Sequence, residues 1–240
     1  MWYILNVEKV LVFTPTFNEA ENIKILIDQI KEVSQNLDVL IVDDSSTDQT
    51  TKILEQVSSK DLSIQVIVRS LKSGVGSAHM LAIKEAYKNG YNYLITMDAD
   101  LSHNPKDIPR FLNALDNANY VVGTRSRGGK TELKGIRLIL SKGANLLCRY
   151  LLPTGLSEYT NWFRAYDRSA INFLIQNPPK GSGYSFFIEA TNTLFLSKLT
   201  ITEIPIAFRN RFAGKSKIPP FQIFSTMNKI FRLFIMRILD

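Results

Sequence analysis

Short β-branched runs alternate with helical patterns through the first half of the chain, and this alternation constrains the fold more than any other feature. The runs that predict strands are residues 10–13, 39–42, 64–68, 93–96 and 120–123. Helical patterns fill the gaps between them, as in parallel β-α units. We therefore predict an α/β protein with a parallel sheet, whose ligands bind beyond the carboxyl ends of the strands.

The first predicted helix runs from Glu19 to about Val33, because Asn18 can cap its first turn and Glu21 completes a capping-box pattern. Pro105 suits the first turn of a later helix. Two further helices are predicted in the first half, one directly after residues 46–48 and one directly after residues 74–76. In the second half, helices are predicted at residues 133–151, at residues 168–176 and around Glu189. The second half of the sequence is less regular than the first.

Composition narrows the class of protein. A chain of 240 residues with 45% hydrophobic content predicts a globular domain with one substantial core. The single cysteine, Cys148, favours a reducing compartment, and the first ten residues lack the pattern of a secretion signal, so we expect a cytoplasmic protein. No segment is predicted to span a membrane, because charged residues interrupt the longest apolar stretches.

The formal net charge of +7 favours anionic partners such as phosphorylated substrates, nucleic acid or an acidic lipid surface. The sequence has neither a zinc-finger spacing nor an aromatic RNA-binding pattern, so we expect no nucleic acid. Residues 221–239 form an amphipathic helical pattern. Its apolar face can pack on the domain or contact a membrane, and amphipathicity does not distinguish the two.

Two carboxylates follow the fourth predicted strand. Asp98 and Asp100, separated by Ala99, suit a hard divalent cation that keeps water and phosphate oxygens as its other ligands. A cation held there would neutralise charge on a departing diphosphate. The alternative is an acidic turn that caps the helix near Pro105. The position beyond a carboxyl strand end favours the metal site.

Polar segments also follow the first two strands. Asp43 and Asp44 place acceptors for a base or a ribose hydroxyl at the sheet edge, or they cap the next helix. Residues 14–19 can surround a nucleotide, or they end the first strand with a rigid turn. Gly74 and Gly76 permit a phosphate to approach backbone amides at a helix start, or they mark a tight turn.

Taken together, these segments resemble the family 2 glycosyltransferases of the GT-A fold, and specifically the dolichyl or polyprenyl phosphate mannose synthase group. The resemblance spans nearly the whole chain and rests on PTFNEAENI at 15–23, VDDSS at 42–46, MDADLSH at 97–103 and GTRSRGG at 123–129. Later segments resemble the acceptor half of that group: Arg137 with SKGAN at 141–145, FRAY at 163–166, IPI at 204–206 and GKSK at 214–217.

The resemblance implies transfer of a hexose, above all mannose from GDP-mannose, to a dolichyl or polyprenyl phosphate, with inversion and with Mg or Mn as cofactor. By this resemblance, the nucleotide contacts are Pro15, Thr16, Glu19, Asp43 and Asp44, and the contacts to the metal and diphosphate are Asp98 and Asp100. The acceptor phosphate is assigned to Arg125, Arg137 and Ser141. Closure over the donor is assigned to Arg211 and Lys217.

We predict a GT-A domain at residues 1–215, with a nucleotide-sugar half to about residue 130 and an acceptor half from about residue 131, followed by an amphipathic segment at 216–240. A lipid-linked acceptor, the basic excess and the amphipathic segment together predict peripheral contact with the cytoplasmic face of a membrane.

A phosphate acceptor requires no general base, because a phosphate monoester is largely ionised at neutral pH. A sugar hydroxyl requires one. Asp100, Glu158 and Glu189 are candidates for that base, although a structural carboxylate is the favoured interpretation of each. His79 is interpreted as packing or surface within a helix, and His103 as shaping the acidic turn.

Two positions depart from the family pattern. Trp162 stands where a glycine is expected, and Phe187 stands where a glutamine is expected. We expect Trp162 to reshape the pocket near the transferred sugar. Two other functions stay open: a family 2 transferase that acts on a saccharide hydroxyl in envelope polysaccharide assembly, and a non-catalytic nucleotide-sugar-binding protein.

Overall fold

The computed structural model describes residues 8–212, so Lys217 and the amphipathic segment at 216–240 lie outside the described residues. The strands are β1 (Val10–Thr16), β2 (Asp38–Asp43), β3 (Ile64–Val68), β4 (Tyr93–Thr96), β5 (Tyr120–Thr124), β6 (Lys130–Thr131), β7 (Arg164–Asp167), β8 (Ile201–Pro205) and β9 (Ala207–Phe208). The helices are α1 (Ile23–Val33), α2 (Thr50–Ser58), α3 (Val75–Lys88), α4 (Ile108–Ala114), α5 (Gly135–Leu151), α6 (Arg168–Gln176) and α7 (Tyr184–Leu196). A 3₁₀ turn, Pro105–Asp107, leads into α4.

Within residues 8–212, seven strands form one sheet in the order β3-β2-β1-β4-β7-β5-β8. β1 is parallel to β2 and β4, β2 is parallel to β3, and β5 is parallel to β8. β7, which was not predicted, is antiparallel to both β4 and β5, so the sheet is mixed. Because β7 separates them, β4 and β5 run in the same direction, and β1, β2, β4 and β5 all end at one edge.

The sheet has a core on each face, because successive strand residues point to opposite sides. In β1, Leu11 and Phe13 belong to the core that includes buried residues of α3, α6 and α7. Val10 and Val12 belong to the core that includes buried residues of α1, α2 and α4. Helices on both faces explain why these strands read as continuous apolar runs rather than as an alternating pattern.

The predicted start of the first helix is wrong. Helix α1 begins at Ile23 rather than Glu19, and no side chain caps its N-terminus. Asn18 has a left-handed φ of 54°, its N–H donates to Ser46 Oγ (2.8 Å), and its Oδ1 accepts from Thr47 N–H (2.7 Å). Asn18 therefore connects the loops after β1 and β2. Its hydrogen bonds go to the loop after β2 and are not available to cap a helix.

Helix α5 lies largely at the surface, with Asn145 and Cys148 among its buried residues. Of the helices within residues 8–212, none is both long enough and apolar enough to cross a bilayer. The division into a nucleotide-sugar half and an acceptor half stays a prediction.

Candidate active site

The loop after β4 carries both predicted metal ligands. Asp100 Oδ1 accepts hydrogen bonds from Ser102 N–H (3.1 Å) and Oγ (2.6 Å). Asp100 Oδ2 lies 3.0 Å from Arg211 Nη2. Asp98 Oδ1 is buried and finds no hydrogen-bond partner among residues 8–212. The two carboxylates of this loop therefore differ, since one is held by neighbours and the other is not.

His103 holds the backbone of Asp98. Its Nδ1 accepts from Asp98 N–H at 3.0 Å, so the ring proton resides on Nε2, which donates to Asn161 Oδ1 at 2.7 Å. Burial lowers the pKa of His103 to about 4, so the ring is neutral at physiological pH. The 3.8 Å approach of Nδ1 to Asp98 Oδ2 is therefore no ion pair. Both ring nitrogens are engaged, which supports the interpretation that His103 shapes the loop.

The two aspartates fit a divalent cation that arrives with a phosphate ligand. Burial, and then the neighbouring Asp100, raise the pKa of Asp98 well above its ordinary value, so an added cation would favour its ionised form. No group of three or more His, Cys, Asp or Glu side chains in the described part of the chain is placed to hold a metal. A cation on Asp98 and Asp100 would complete its ligands with phosphate oxygens and water, as Mg²⁺ commonly does.

Asp43 and Asp44 order the loops of the predicted nucleotide site. Asp44 accepts from Ser73 N–H (2.8 Å) and Gly74 N–H (2.9 Å) through its two oxygens. Asp43 Oδ2 accepts from Thr51 Oγ1 at 2.7 Å. Both carboxylates thus hold neighbouring loops in place around the edge of the sheet.

Gly74 and Gly76 fit the turn interpretation. The N–H of Gly74 is bound by Asp44, and the residue has a φ of 83°, which favours glycine. A Cβ on Gly76 would come within 3.0 Å of Gly181 O. The two glycines therefore permit a turn and a close approach between α3 and the segment before α7.

The end of β1 brings the other residues of the predicted nucleotide site to the same edge. Pro15 is partly buried, and Thr16 is buried with its carbonyl accepting from Asp44 N–H at 2.9 Å. The buried Glu19 lies beyond them, with its Oε1 3.1 Å from Arg211 Nη1. Arg211 therefore connects Glu19 with Asp100, which follow different strands.

A hydrogen-bonded cluster centred on the largely buried side chain of Arg125 follows β5. Arg125 Nε and Nη2 each donate to one oxygen of Glu158 at 2.8 Å, a paired arrangement that is strong and directional. Arg125 Nη2 also donates to Ser141 Oγ (3.0 Å) and Thr160 Oγ1 (2.7 Å). The structure thus brings Arg125 and Ser141, both assigned to the acceptor phosphate, into contact, and it adds Glu158 as the partner of Arg125.

Glu158 is a structural carboxylate. Burial opposes its ionisation, but the Arg125 guanidinium and hydrogen bonds from Arg125, Asn145 and Thr160 outweigh burial and lower the pKa of Glu158 to about 2. Arg125 benefits in turn, since Glu158 outweighs the burial of the guanidinium and raises the pKa of Arg125 above its ordinary value. The pair is charged at every physiological pH.

Arg137 is exposed on α5, about one turn before Ser141. Its charge acts on Tyr184, the first residue of α7, which sequence reasoning missed as a site residue. Burial, and then Asp98, raise the pKa of Tyr184 to about 12, whereas Arg125 and Arg137 act in the opposite direction. The neutral Tyr184 hydroxyl therefore lies within electrostatic reach of both the acidic loop and the arginines.

Asn161, which was also missed, connects the two sides of the site. Its Oδ1 accepts from His103, its Nδ2 donates to Gly123 O at 2.6 Å, and its N–H donates to Glu158 Oε1 at 3.2 Å. The sequence carries no signal for this role, because His103 and Asn161 are 58 positions apart. Their contact arises only when β7 brings the preceding loop between β4 and β5.

The two departures from the family pattern contact each other. Trp162 and Phe187 are stacked, with ring centroids 5.5 Å apart and planes at 22°. His79, whose pKa burial lowers to about 3, packs edge-on against Phe187 at 4.7 Å. The ring centroid of Tyr184 lies 5.8 Å from that of Trp162. These contacts support the packing interpretation of His79. Tyr184 is the member of this aromatic cluster that also belongs to the candidate site.

The mixed sheet, with an acidic pair after β4 and an arginine–serine cluster after β5, defines an α/β transferase of the GT-A fold. The crystal structure of glucosyl-3-phosphoglycerate synthase from Mycobacterium tuberculosis with Mn²⁺, UDP and phosphoglyceric acid has this fold, with a TM-score of 0.68 at 18% identity over 96% of this chain and 78% of that chain. The family model described as Glycosyl transferase family 2 matches residues 11–174. The chain therefore belongs to glycosyltransferase family 2 and is a glycosyltransferase.

Two curated relatives are similar over most of their length. The polyprenol monophosphomannose synthase of Mycolicibacterium smegmatis is 32% identical over 227 residues, which cover 93% of this chain and 86% of the relative. The undecaprenyl-phosphate mannosyltransferase of Micrococcus luteus is 33% identical over 213 residues, which cover 88% of this chain and 87% of the relative. The resemblance to the polyprenyl phosphate mannose synthase group is confirmed.

Proposed function

We propose that this glycosyltransferase moves mannose from GDP-mannose to a polyprenyl phosphate, with inversion at the anomeric carbon and with Mg or Mn as cofactor. The names of the two curated relatives support the sugar and the acceptor class. The structural observation that carries the proposal is the arginine cluster after β5, which offers hydrogen-bond donors to an anion and no free base to a hydroxyl.

The donors of that cluster are arranged for a phosphate. Glu158 takes the Nε and Nη2 groups of Arg125, while Nη1 has no hydrogen-bond partner among residues 8–212 and remains for a ligand. The Ser141 hydroxyl adjoins it, and Arg137 adds charge from the same helix. The favoured ligand of such a group is a phosphate, because guanidinium donors match its oxygens and its charge.

Glu158 is unsuited to act as a general base. Its pKa of about 2 and its hydrogen bonds leave it unable to accept a proton near neutral pH. An ionised phosphate needs no such help, because its oxygen attacks the anomeric carbon as an anion while the bond from that carbon to the donor diphosphate breaks. Attack from the face opposite the leaving group inverts the anomeric configuration.

On the donor side, Asp98 and Asp100 would hold the divalent cation, which when bound offsets the charge of the leaving diphosphate. Pro15, Thr16, Glu19, Asp43 and Asp44 would form the nucleotide site, in which Asp43 and Asp44 act by ordering its loops. Arg211 would contact the diphosphate. Lys217, which we assign to the same closure from its motif, lies beyond the described residues.

A lipid-extraction assay tests the proposal. Purified protein is incubated with Mn²⁺ or Mg²⁺, radiolabelled GDP-mannose and a short polyprenyl phosphate, with the matching polyprenol as the control acceptor. We expect an acid-labile labelled lipid from the phosphate and none from the alcohol. Labelling with a different nucleotide sugar would correct the donor alone. Labelling of a saccharide hydroxyl and of no lipid phosphate would overturn the proposal.

We further propose that α5 brings the enzyme to the cytoplasmic face of a membrane. Ile136, Ile139, Leu146 and Tyr150 on this helix are 55–79% exposed. Arg137, Lys142 and Arg149 are also exposed, and the helix contains no acidic residue. Apolar side chains among basic ones suit an anionic lipid surface. Since Ser141 belongs to the same helix, a lipid-linked phosphate would leave the membrane beside its binding site.

Sedimentation with anionic liposomes tests the membrane proposal. Changing Ile136 and Ile139 together to Glu should reduce binding about tenfold or more, because apolar burial is lost and negative charge is added. Leu196→Glu is the control, since Leu196 is comparably exposed, at 61%, on α7. Equal sedimentation of the double variant and the wild type would exclude α5 as the contact.

A further inference from the structure

One guanidinium contacts two carboxylates that the proposed function assigns to different ligands. Arg211 Nη2 lies 3.0 Å from Asp100 Oδ2, and Arg211 Nη1 lies 3.1 Å from Glu19 Oε1. Asp100 is a proposed metal ligand and Glu19 a proposed nucleotide contact. Arg211 therefore lies across the boundary between the cation site and the nucleotide site.

The backbone on either side of Arg211 fixes its position. Arg209 N–H donates to Ser102 O at 3.0 Å, and Phe212 N–H donates to Asp100 O at 3.2 Å. The segment after β9 is thus bound to the same loop that carries Asp98 and Asp100. Because the backbone is held on both sides, Arg211 is directed at the carboxylates by the fold as well as by charge.

The charges of this region require a cation. Glu19 and Asp100 are buried, and the partly buried Asp98 lies on the same loop as Asp100, so their negative charges repel one another in a poorly solvated place. Arg211 is the described cation paired with two of them. A divalent cation bound through Asp100 Oδ2 would compete with the guanidinium for that oxygen, and the two cations would repel each other.

We propose that Arg211 is the internal counter-cation of the metal site. It holds Asp100 and Glu19 in place before the divalent cation binds, and the divalent cation displaces it from Asp100. The displaced guanidinium then takes the donor diphosphate as its new anionic partner. This inference rests on the metal and nucleotide assignments of the proposed function, and it predicts that metal and nucleotide strengthen each other's binding.

Calorimetric titration of the full-length protein with Mn²⁺ alone tests the displacement. Arg211→Gln should bind Mn²⁺ about tenfold more tightly than the wild type, because a competing cation is removed. Arg211→Lys, which keeps the charge, should stay close to the wild type. Arg209→Gln is the matched control, since it removes an exposed charge from the same segment. Unchanged or weaker binding in Arg211→Gln, or equal tightening in Arg209→Gln, would overturn the inference.

A second titration makes its first comparison within the wild type, and that comparison does not depend on how any variant folds. GDP should bind about tenfold more tightly at saturating Mn²⁺ than without metal, and Arg211→Gln should lose most of that gain. Independent binding of Mn²⁺ and GDP to the wild type contradicts the inference, as does absence of Mn²⁺ binding to every variant. Neither titration contains sugar or lipid, so a negative lipid-extraction assay beside positive titrations would refute the proposed reaction alone.

Discussion

Asp98 and Glu158 are two carboxylates of the candidate site, and their surroundings have opposite effects on their ionisation. Burial and Asp100 raise the pKa of Asp98 well above its ordinary value, and Asp98 Oδ1 has no hydrogen-bond partner among residues 8–212. Glu158 is more deeply buried, but Arg125 and its other donors lower its pKa to about 2. Asp98, which we assign to the donor side, is therefore electrostatically incomplete without a ligand, whereas both carboxylate oxygens of Glu158, on the proposed acceptor side, are paired within the fold.

This difference separates residues that bind from residues that position. A charged group that is paired within the protein keeps its position when ligands bind and dissociate. Glu158 is such a group, and it can therefore hold Arg125 in position. A group whose charge is unsatisfied destabilises the fold until a ligand arrives, and this is common at functional sites. The two carboxylates should therefore respond to substitution in opposite ways.

The largest expected effect is on activity. Asp98→Asn should lower turnover about 1,000-fold, because the cation loses a charged ligand and several kcal/mol of stabilisation of the leaving group. Its melting temperature without metal should equal or exceed that of the wild type, since an unfavourable buried charge is removed. Transfer assays and thermal melts with and without Mn²⁺ measure both. A marked loss of stability in Asp98→Asn would break the comparison.

The opposite result is expected for Glu158→Ala. Removing this carboxylate leaves Arg125 buried without its partner, which should destabilise the protein by on the order of 3 kcal/mol. Urea unfolding of the variant beside Asp98→Asn measures the contrast directly. A stability equal to that of the wild type would show that solvent or another group pairs with the guanidinium, and Glu158 would then not be the support of Arg125.

His79 sharpens the comparison, because it is buried without charge. Burial lowers its pKa to about 3 from an ordinary 6.5, so below pH 6.5 the unfolded chain takes up a proton that the folded protein does not. Stability should therefore fall with pH from about 6.5 down to about 3, by about 1.4 kcal/mol per pH unit within that window. His103 contributes in an overlapping range, so the difference between the wild type and His79→Gln isolates His79. An unchanged pH slope in His79→Gln would contradict this assignment.

Sequence reasoning predicted the first half of the fold better than the second. Strands β1 to β5 each contain a mainly apolar run, and β3 and β4 have the predicted bounds. The four-residue β7 was missed because buried Arg164 and partly buried Asp167 interrupt its apolar pattern. Arg164 is satisfied by groups such as Thr191 Oγ1 (2.8 Å), which no local pattern reveals.

Some contacts of the candidate site were likewise predictable from the sequence, and others were not. Asp98 and Asp100 are neighbours in sequence and follow a recognisable strand, so their proximity was predictable. The partnership of Arg125 and Glu158 spans 33 positions, and that of Arg211 and Glu19 spans 192. Both depend on the order of strands in the sheet. Residue types in sequence indicated which charges matter, but only the fold shows which of them are already paired.

The smallest expected effect concerns Trp162 and Phe187, whose rings stack on each other. If each ring supports the other, a double-mutant cycle of Trp162→Gly and Phe187→Gln should show a coupling of about 1 kcal/mol in the free energy of unfolding. The second substitution would cost less once the first has removed the stacking partner. Strict additivity would mean that the rings pack independently, and the two departures from the family pattern would then be separate events rather than one exchanged pair.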